Sequence, residues 1–117
     1  MKNIAVFASG RGSNFQTIQD QIEAGNIAGR VVCVISDKAT PPVFDKAEQN
    51  EISTYYISRK QFKKEQEFAD FLLNILQKHN TDLIVLAGYL KLIPSKIVKN
   101  YPQAIINIHP ALLPKFG

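Results

Sequence analysis

Short apolar runs recur along the chain, and between them apolar residues return every three or four positions. Ile4 to Ala8, Arg30 to Ile35 and Leu83 to Gly88 are near-continuous runs, as expected for strands covered on both faces. Ser53 to Ile57 is shorter and β-rich, and Ala104 to Ile108 is predicted as the last strand. The first run ends in a turn composition, Ser9-Gly10-Arg11-Gly12-Ser13-Asn14. Phe15, Ile18 and Ile22 then keep helical spacing until Gly25. Thr40 before Pro41 reads as an N-cap with proline at the first helical position, leading into Val43, Phe44 and Ala47. Phe62 to Gln77 carries Phe68, Phe71, Leu72, Ile75 and Leu76 on one helical stripe, and a short helix is predicted over Ser95 to Lys99. Strands alternating with helices argue for an open, mostly parallel α/β sheet with right-handed crossovers and helices on both faces. Ligands of such sheets bind beyond the carboxyl ends of the strands. That rule puts Ser9 to Asn14, Gly88 to Ile93 and Asn107 to His109 on one rim.

The last of these segments carries the sharpest chemistry. In Ile105-Ile106-Asn107-Ile108-His109-Pro110 an apolar strand is interrupted by an amide and an imidazole two residues apart, so both side chains leave the same face. Pro110 stops the strand and holds His109 in extended backbone at its tip. Asn offers a neutral donor and acceptor, and His exchanges a proton near neutral pH; together they could polarise a carbonyl and move its proton. Two satisfied polar groups in a turn are the plainer alternative.

A chain of 117 residues suits one domain that buries roughly 65% of its unfolded surface. Fourteen basic and ten acidic residues leave a net charge of +4, with the basic residues scattered. This favours anionic small molecules weakly and gives no nucleic-acid footprint. Lys60, Lys63 and Lys64 form the densest cluster, which a solvated helix start explains. Cys33, the single cysteine, lies inside Val31-Val32-Cys33-Val34-Ile35 and reads as a small core residue. His79 falls near a helix end, where an imidazole suits the dipole. No signal peptide or membrane helix is apparent, so the expected location is cytoplasmic.

Gly10-Arg11-Gly12-Ser13-Asn14 is suited to bringing backbone N–H groups and a hydroxyl up to an anion, with the positive end of the next helix aimed at the same place. A phosphate is the natural guest, and a plain tight turn is the alternative. The loop lacks the Gly-Lys-[Ser/Thr] ending of a Walker A motif. Phe15 stands where the dinucleotide fingerprint wants its third glycine, although Asp37 after the second strand could imitate the ribose-binding acid. Asp37 reads otherwise as a turn residue. Tyr89-Leu90-Lys91-Leu92-Ile93 offers aliphatic bulk beside one cation, which suits either a flat heteroaromatic ligand or a loop folded back onto the core.

Three stretches, in order along the chain, carry a family resemblance: Ala8-Ser9-Gly10-Arg11-Gly12-Ser13-Asn14-Phe15, Leu86-Ala87-Gly88-Tyr89-Leu90-Lys91-Leu92-Ile93, and Ile106-Asn107-Ile108-His109-Pro110-Ala111-Leu112-Leu113-Pro114-Lys115-Phe116. They resemble the phosphoribosylglycinamide formyltransferases, the folate-dependent transformylases of purine synthesis. The Asn-x-His-Pro-x-Leu-Leu-Pro signature is shared by the wider group of 10-formyltetrahydrofolate formyltransferases and hydrolases. The glycine loop narrows the likeness to the glycinamide ribonucleotide enzymes. The resemblance implies a Rossmann-like, formyltransferase-like fold, with residues 1–117 a single nucleotide-binding formyltransferase domain truncated after the signature.

It also implies that Gly12, Ser13 and Asn14 hold the phosphate of glycinamide ribonucleotide. Leu90, Lys91, Leu92 and Ile93 line the folate pocket, Asn107 touches the formyl group, and His109 is the catalytic acid. The family places a basic residue on the helix after the third strand to meet the folate. Glu65 falls there, so Lys64 is the nearest candidate, with Lys63 beside it. The co-substrate is 10-formyltetrahydrofolate, no metal is implied, and neither nucleic acid nor membrane is an expected partner. Family enzymes run on past this signature and supply an aspartate that raises the histidine pKa. The expectation is therefore little transferase activity from residues 1–117 alone, activity in a longer version, and self-association through an uncovered last strand. Other formyltetrahydrofolate enzymes, such as a methionyl-tRNA formyltransferase or a formyltetrahydrofolate hydrolase, are the alternatives in the same chemistry. A non-catalytic nucleotide-binding module using Gly10 to Asn14 and Asp37, or a purely structural fragment, are the alternatives outside it.

Overall fold

The computed structural model describes residues 1–10 and 12–108, with the backbone alone described at Ser13 and Asn14. Among these, five parallel strands form one sheet in the order β3-β2-β1-β4-β5: β1 (Lys2–Phe7), β2 (Gly29–Ser36), β3 (Ser53–Tyr56), β4 (Leu83–Ala87) and β5 (Ile105–Ile108). Four α-helices connect them, α1 (Ser13–Glu23), α2 (Pro42–Gln49), α3 (Glu65–Lys78) and α4 (Ser95–Asn100), and a 3-10 turn over Arg59–Gln61 precedes α3.

The sequence of β1 shows why it lies at the centre. Alternate side chains of a strand point to opposite faces, and here both sets are apolar. Ile4, Val6 and Ala8 join a core cluster with Phe15 and Ile18 of α1 and Val43 and Ala47 of α2. Ala5 and Phe7 join the opposite cluster with Phe68, Leu72 and Leu76 of α3 and Ile97 of α4. Each fully buried large side chain contributes roughly 1.5–3 kcal/mol of burial free energy. Only a strand with helices on both sides can gain that from every residue, and the buried run Ile4 to Ala8 does so.

Three local expectations shift. The second helix starts at Pro42 with Pro41 as its N-cap, not at Pro41 behind Thr40. A residue before proline is pushed out of the α region, and Pro41 accordingly takes an extended φ of −77° and ψ of 150°. Pro42 then loses nothing at the first helical position, where its missing N–H would have had no partner. The third helix begins at Glu65 instead of Phe62, because the segment before it closes a capping box: Gln61 reaches back to the Ser58 backbone N–H at 2.7 Å. Phe71, placed on the buried stripe by its spacing, is about half exposed and lies against Phe62, while Phe68, Ala69, Leu72 and Leu76 are buried.

Candidate active site

Parallel strands put all five carboxyl ends on one edge, and pairing sets the row. Phe7 of β1 is in register with Leu86 of β4, and Leu86 with Asn107 of β5. At about 4.8 Å per strand, Asn107 stands roughly 10 Å across the sheet from Phe7. The strand order reverses at β1, whose successor β2 lies on one side and whose other neighbour is β4. A crevice at such a switch point is where ligands of open α/β sheets bind.

On this rim the glycine loop is held from three sides. The Ala8 N–H donates to the Ile35 carbonyl at 2.9 Å, the Leu90 N–H to Ser9 Oγ at 3.3 Å, and the Val43 N–H of α2 to the Gly10 carbonyl at 3.1 Å. Gly12 is the N-cap of α1 and is buried. Gly12 has no side chain to cap the helix, and a helix N-terminus of this kind suits an anion. A Cβ at Gly12 would run into the aliphatic chain of Lys46, whereas one at Gly10 would meet nothing. A side chain at position 12 would therefore have to displace the Lys46 stem, which glycine leaves in place. Ser13 and Asn14 open α1, so their backbone lies at this end; their side chains lie outside the described residues.

Gly88 turns the chain at the end of β4 with a φ of 76°, a conformation that glycine adopts without a steric penalty. The loop after it divides. Tyr89 is buried with its ring edge-on to Phe7 at 5.3 Å, and Ile93 packs on the same core, while Leu90 and Leu92 are 87% and 82% exposed. The ends of the loop fold back onto the core, and its middle presents exposed apolar side chains. Lys91 is exposed on the same rim. Burial, with the charge of Asp37 adding to it, pushes the Tyr89 phenol up to about 12, so it is a neutral donor at physiological pH.

The cation that reaches this loop is one the sequence reading did not single out. Arg59 grips Glu65 through Nε at 2.8 Å and Nη2 at 3.2 Å, donates from Nη2 to the Leu92 carbonyl at 2.6 Å, and lies 4.6 Å over the Phe68 ring. Lys64, the N-cap of α3, is exposed and makes no side-chain hydrogen bond or ion pair among the described residues. Glu65 is thus a partner for Arg59, and the 3-10 turn carries the positive charge. An Arg six residues before a Glu, spanning a capping box, was the available signal; helical spacing rules do not cover it.

Asn107 is exposed near the end of β5. His109, together with Arg11 and the remainder of the signature, lies outside the described residues. Elsewhere, Cys33 is a buried free thiol whose pKa burial raises to about 12, which excludes a ready nucleophile. His79 sits at the C-cap of α3, but its ring is held by Tyr55, with the hydroxyl 2.6 Å from Nε2. Burial and neighbouring Lys78 lower its pKa, against the expectation of a dipole-favoured imidazolium. Among the described residues no helix is long and apolar enough to cross a membrane.

Residues 2–117 match the family model described as formyl transferase. The chain is 43% identical over its whole length to a phosphoribosylglycinamide formyltransferase of Haemophilus influenzae, covering 55% of that protein. It is 37% identical to one of Bacillus subtilis, with 99% of the chain aligned to 60% of the relative. Among solved structures, glycinamide ribonucleotide transformylase 1 of Geobacillus kaustophilus superposes with a TM-score of 0.87 at 37% identity, over 100% of this chain and 62% of that one. The chain therefore spans somewhat more than half the length of these relatives.

Proposed function

The chain belongs to the formyl transferase family, and on that premise we propose that its rim serves formyl transfer from 10-formyltetrahydrofolate to the amine of glycinamide ribonucleotide, a step of de novo purine synthesis in the cytoplasm. The observation that carries this reading is the Phe7–Leu86–Asn107 row, which sets the glycine loop and Asn107 on the same sheet edge. A ribonucleotide anchored by its phosphate at one end has its amine within reach of the other. Gly12, Ser13 and Asn14 receive the phosphate at the start of α1. Leu90 and Leu92 supply an apolar wall, Lys91 a free cation and Ile93 the packing that anchors the loop, and Arg59 takes the place of Lys64 as the better-positioned basic group beside it.

In the reaction the substrate amine attacks the formyl carbon, a C–N bond forms, and negative charge grows on the formyl oxygen. The Asn107 amide and a protonated His109 stabilise that charge, each donor worth about 3 kcal/mol in a dry site. When the bond to N10 breaks, the imidazole delivers the proton that N10 requires, a contribution of roughly 10²- to 10⁴-fold. The amine's surplus proton leaves to solvent or to the same imidazole.

The test is turnover by the full-length gene product, followed as release of tetrahydrofolate, for the wild type and the variants His109→Ala and Asn107→Ala. Glycinamide ribonucleotide is expected to accelerate release, with a loss of at least about a hundredfold for each variant. Substrate-independent release, or unchanged turnover without the imidazole, would sink the reading. Pairing at the second edge of β5, which has only β4 beside it among the described residues, is a further part of the proposal. A monodisperse monomer in sedimentation velocity argues against it.

A further inference from the structure

Asp37, which has no part in the reaction above, occupies a position that calls for a ligand. It follows directly on β2 and lines a cavity of about 230 Å³ with Ser58, Arg59, Lys60, Tyr89 and Lys91. Its side chain is only 4% exposed, and Oδ1 is buried with no hydrogen-bond partner among the described residues. Oδ2 has the exposed ammonium of Lys38 at 3.7 Å. A buried carboxylate oxygen without a donor costs free energy that native structures rarely leave uncompensated.

The other groups define the complement. Tyr89 carries a neutral hydroxyl. Ser58 Oγ already accepts from the Gln61 backbone N–H, so its own proton is free to donate. Arg59 is engaged by Glu65 and Leu92, but Lys60 and Lys91 make no hydrogen bond or ion pair among the described residues and stand exposed at the mouth. The cavity therefore asks for a molecule that carries both hydroxyl donors and negative charge. Its volume suits a sugar-sized group, below the 300–1,000 Å³ usual for larger ligands. In doubly wound sheets an acid just beyond the second strand accepts the hydroxyls of a ribose, and Asp37 holds that position.

We propose that this cavity is a second binding site, taking a phosphorylated ribose whose vicinal hydroxyls donate to Asp37 and whose phosphate meets Lys60 and Lys91. It is distinct from the glycine-loop anion site, which is tied to α2 and packed by Lys46, and it borders the wall assigned above to the folate, with which it shares Arg59 and Lys91. The proposal does not rest on formyl transfer.

Backbone amide shifts of the ¹⁵N-labelled chain separate the two sites, since each has its own reporters. Ribose 5-phosphate and adenosine 5′-monophosphate are titrated in parallel, with 2-deoxyribose 5-phosphate and inorganic phosphate as controls. Saturable shifts at Asp37, Lys38 and Ser58 to Lys60 are expected with at least one phosphorylated ribose, and the tighter of the two identifies a free sugar phosphate or a nucleotide as the source. Asp37→Asn and Asp37→Ala should weaken these shifts about tenfold or more, loss of the 2-hydroxyl about fivefold, and Lys60→Ala about fivefold. Shifts confined to Gly10 to Phe15 overturn the proposal. So does equal affinity for inorganic phosphate, or binding unchanged in both Asp37 variants.

Discussion

Replacing Arg59 with alanine removes three contacts at once, and their sizes can be worked from the structure. The ion pair with Glu65 joins side chains 34% and 56% exposed, so solvent screening leaves it about 0.5 kcal/mol. A guanidinium donating to a carbonyl is stronger in a buried setting; at the exposed Leu92 it falls below the roughly 1.5–3 kcal/mol of charged hydrogen bonds, to about 1 kcal/mol. Stacking over Phe68 adds roughly 0.5 kcal/mol. The expected loss is about 2 kcal/mol, which lowers the urea midpoint by about 1 M for an m-value near 2 kcal/mol/M. Arg59→Lys keeps the charge but not the two-pronged grip or the planar stack, and should lose about half of that. A double-mutant cycle with Glu65→Gln should show a coupling below about 1 kcal/mol, because most of the effect runs through Leu92 and Phe68. Hydrogen exchange at the Leu90 to Ile93 amides should quicken in Arg59→Ala. A midpoint shift under about 0.2 M, or a coupling that accounts for the entire loss, would refute this apportioning.

Leu76→Ala should destabilise by about 2–5 kcal/mol in the same denaturation experiment, since Leu76 is fully buried between α3 and the sheet. A value under 1 kcal/mol would mean the core collapses around the gap. Cys33 keeps its proton to about pH 12 when folded but only to its ordinary 9.0 when unfolded. The unfolded state therefore binds fewer protons above pH 9, and stability should fall as pH rises from 9 towards 12. Cys33→Ala should flatten that limb, and a thiol reagent should modify the wild type at the rate of unfolding. His79 has the opposite slope. Its folded pKa lies below 6.5, so the unfolded state binds the extra proton and stability present above pH 6.5 is lost as pH falls below it. In His79→Gln that acid limb should weaken; an unchanged profile would remove the imidazole from the account.

The apolar runs made the strands legible because a fully buried parallel strand cannot carry polar residues on either face. β1, β2 and β4 have that pattern, and their bounds lie within two residues of the sequence reading. The helices were legible from spacing, less so at their starts, where Pro42 and the Ser58–Gln61 capping box decide by local sterics and hydrogen bonding. The rim was legible too: parallel strands share their carboxyl ends, so Gly12, Leu90 and Asn107 had to fall on one edge.

The order of the strands is another matter, for many orders satisfy the same alternation of strand and helix. β1 takes the centre, between β2 and β4, with its residues divided between the two core clusters on either face of the sheet. Once β2 and β4 flank it, Asp37 and Tyr89, 52 positions apart by their numbers, wall one cavity, and Arg59 reaches the carbonyl of Leu92. Residue spacing carries no record of such meetings. The sequence determined by itself which residues could do chemistry and at which end of the sheet. Tertiary packing alone decided which of them face one another, because contacts between distant segments depend on strand order and on which helix covers which face.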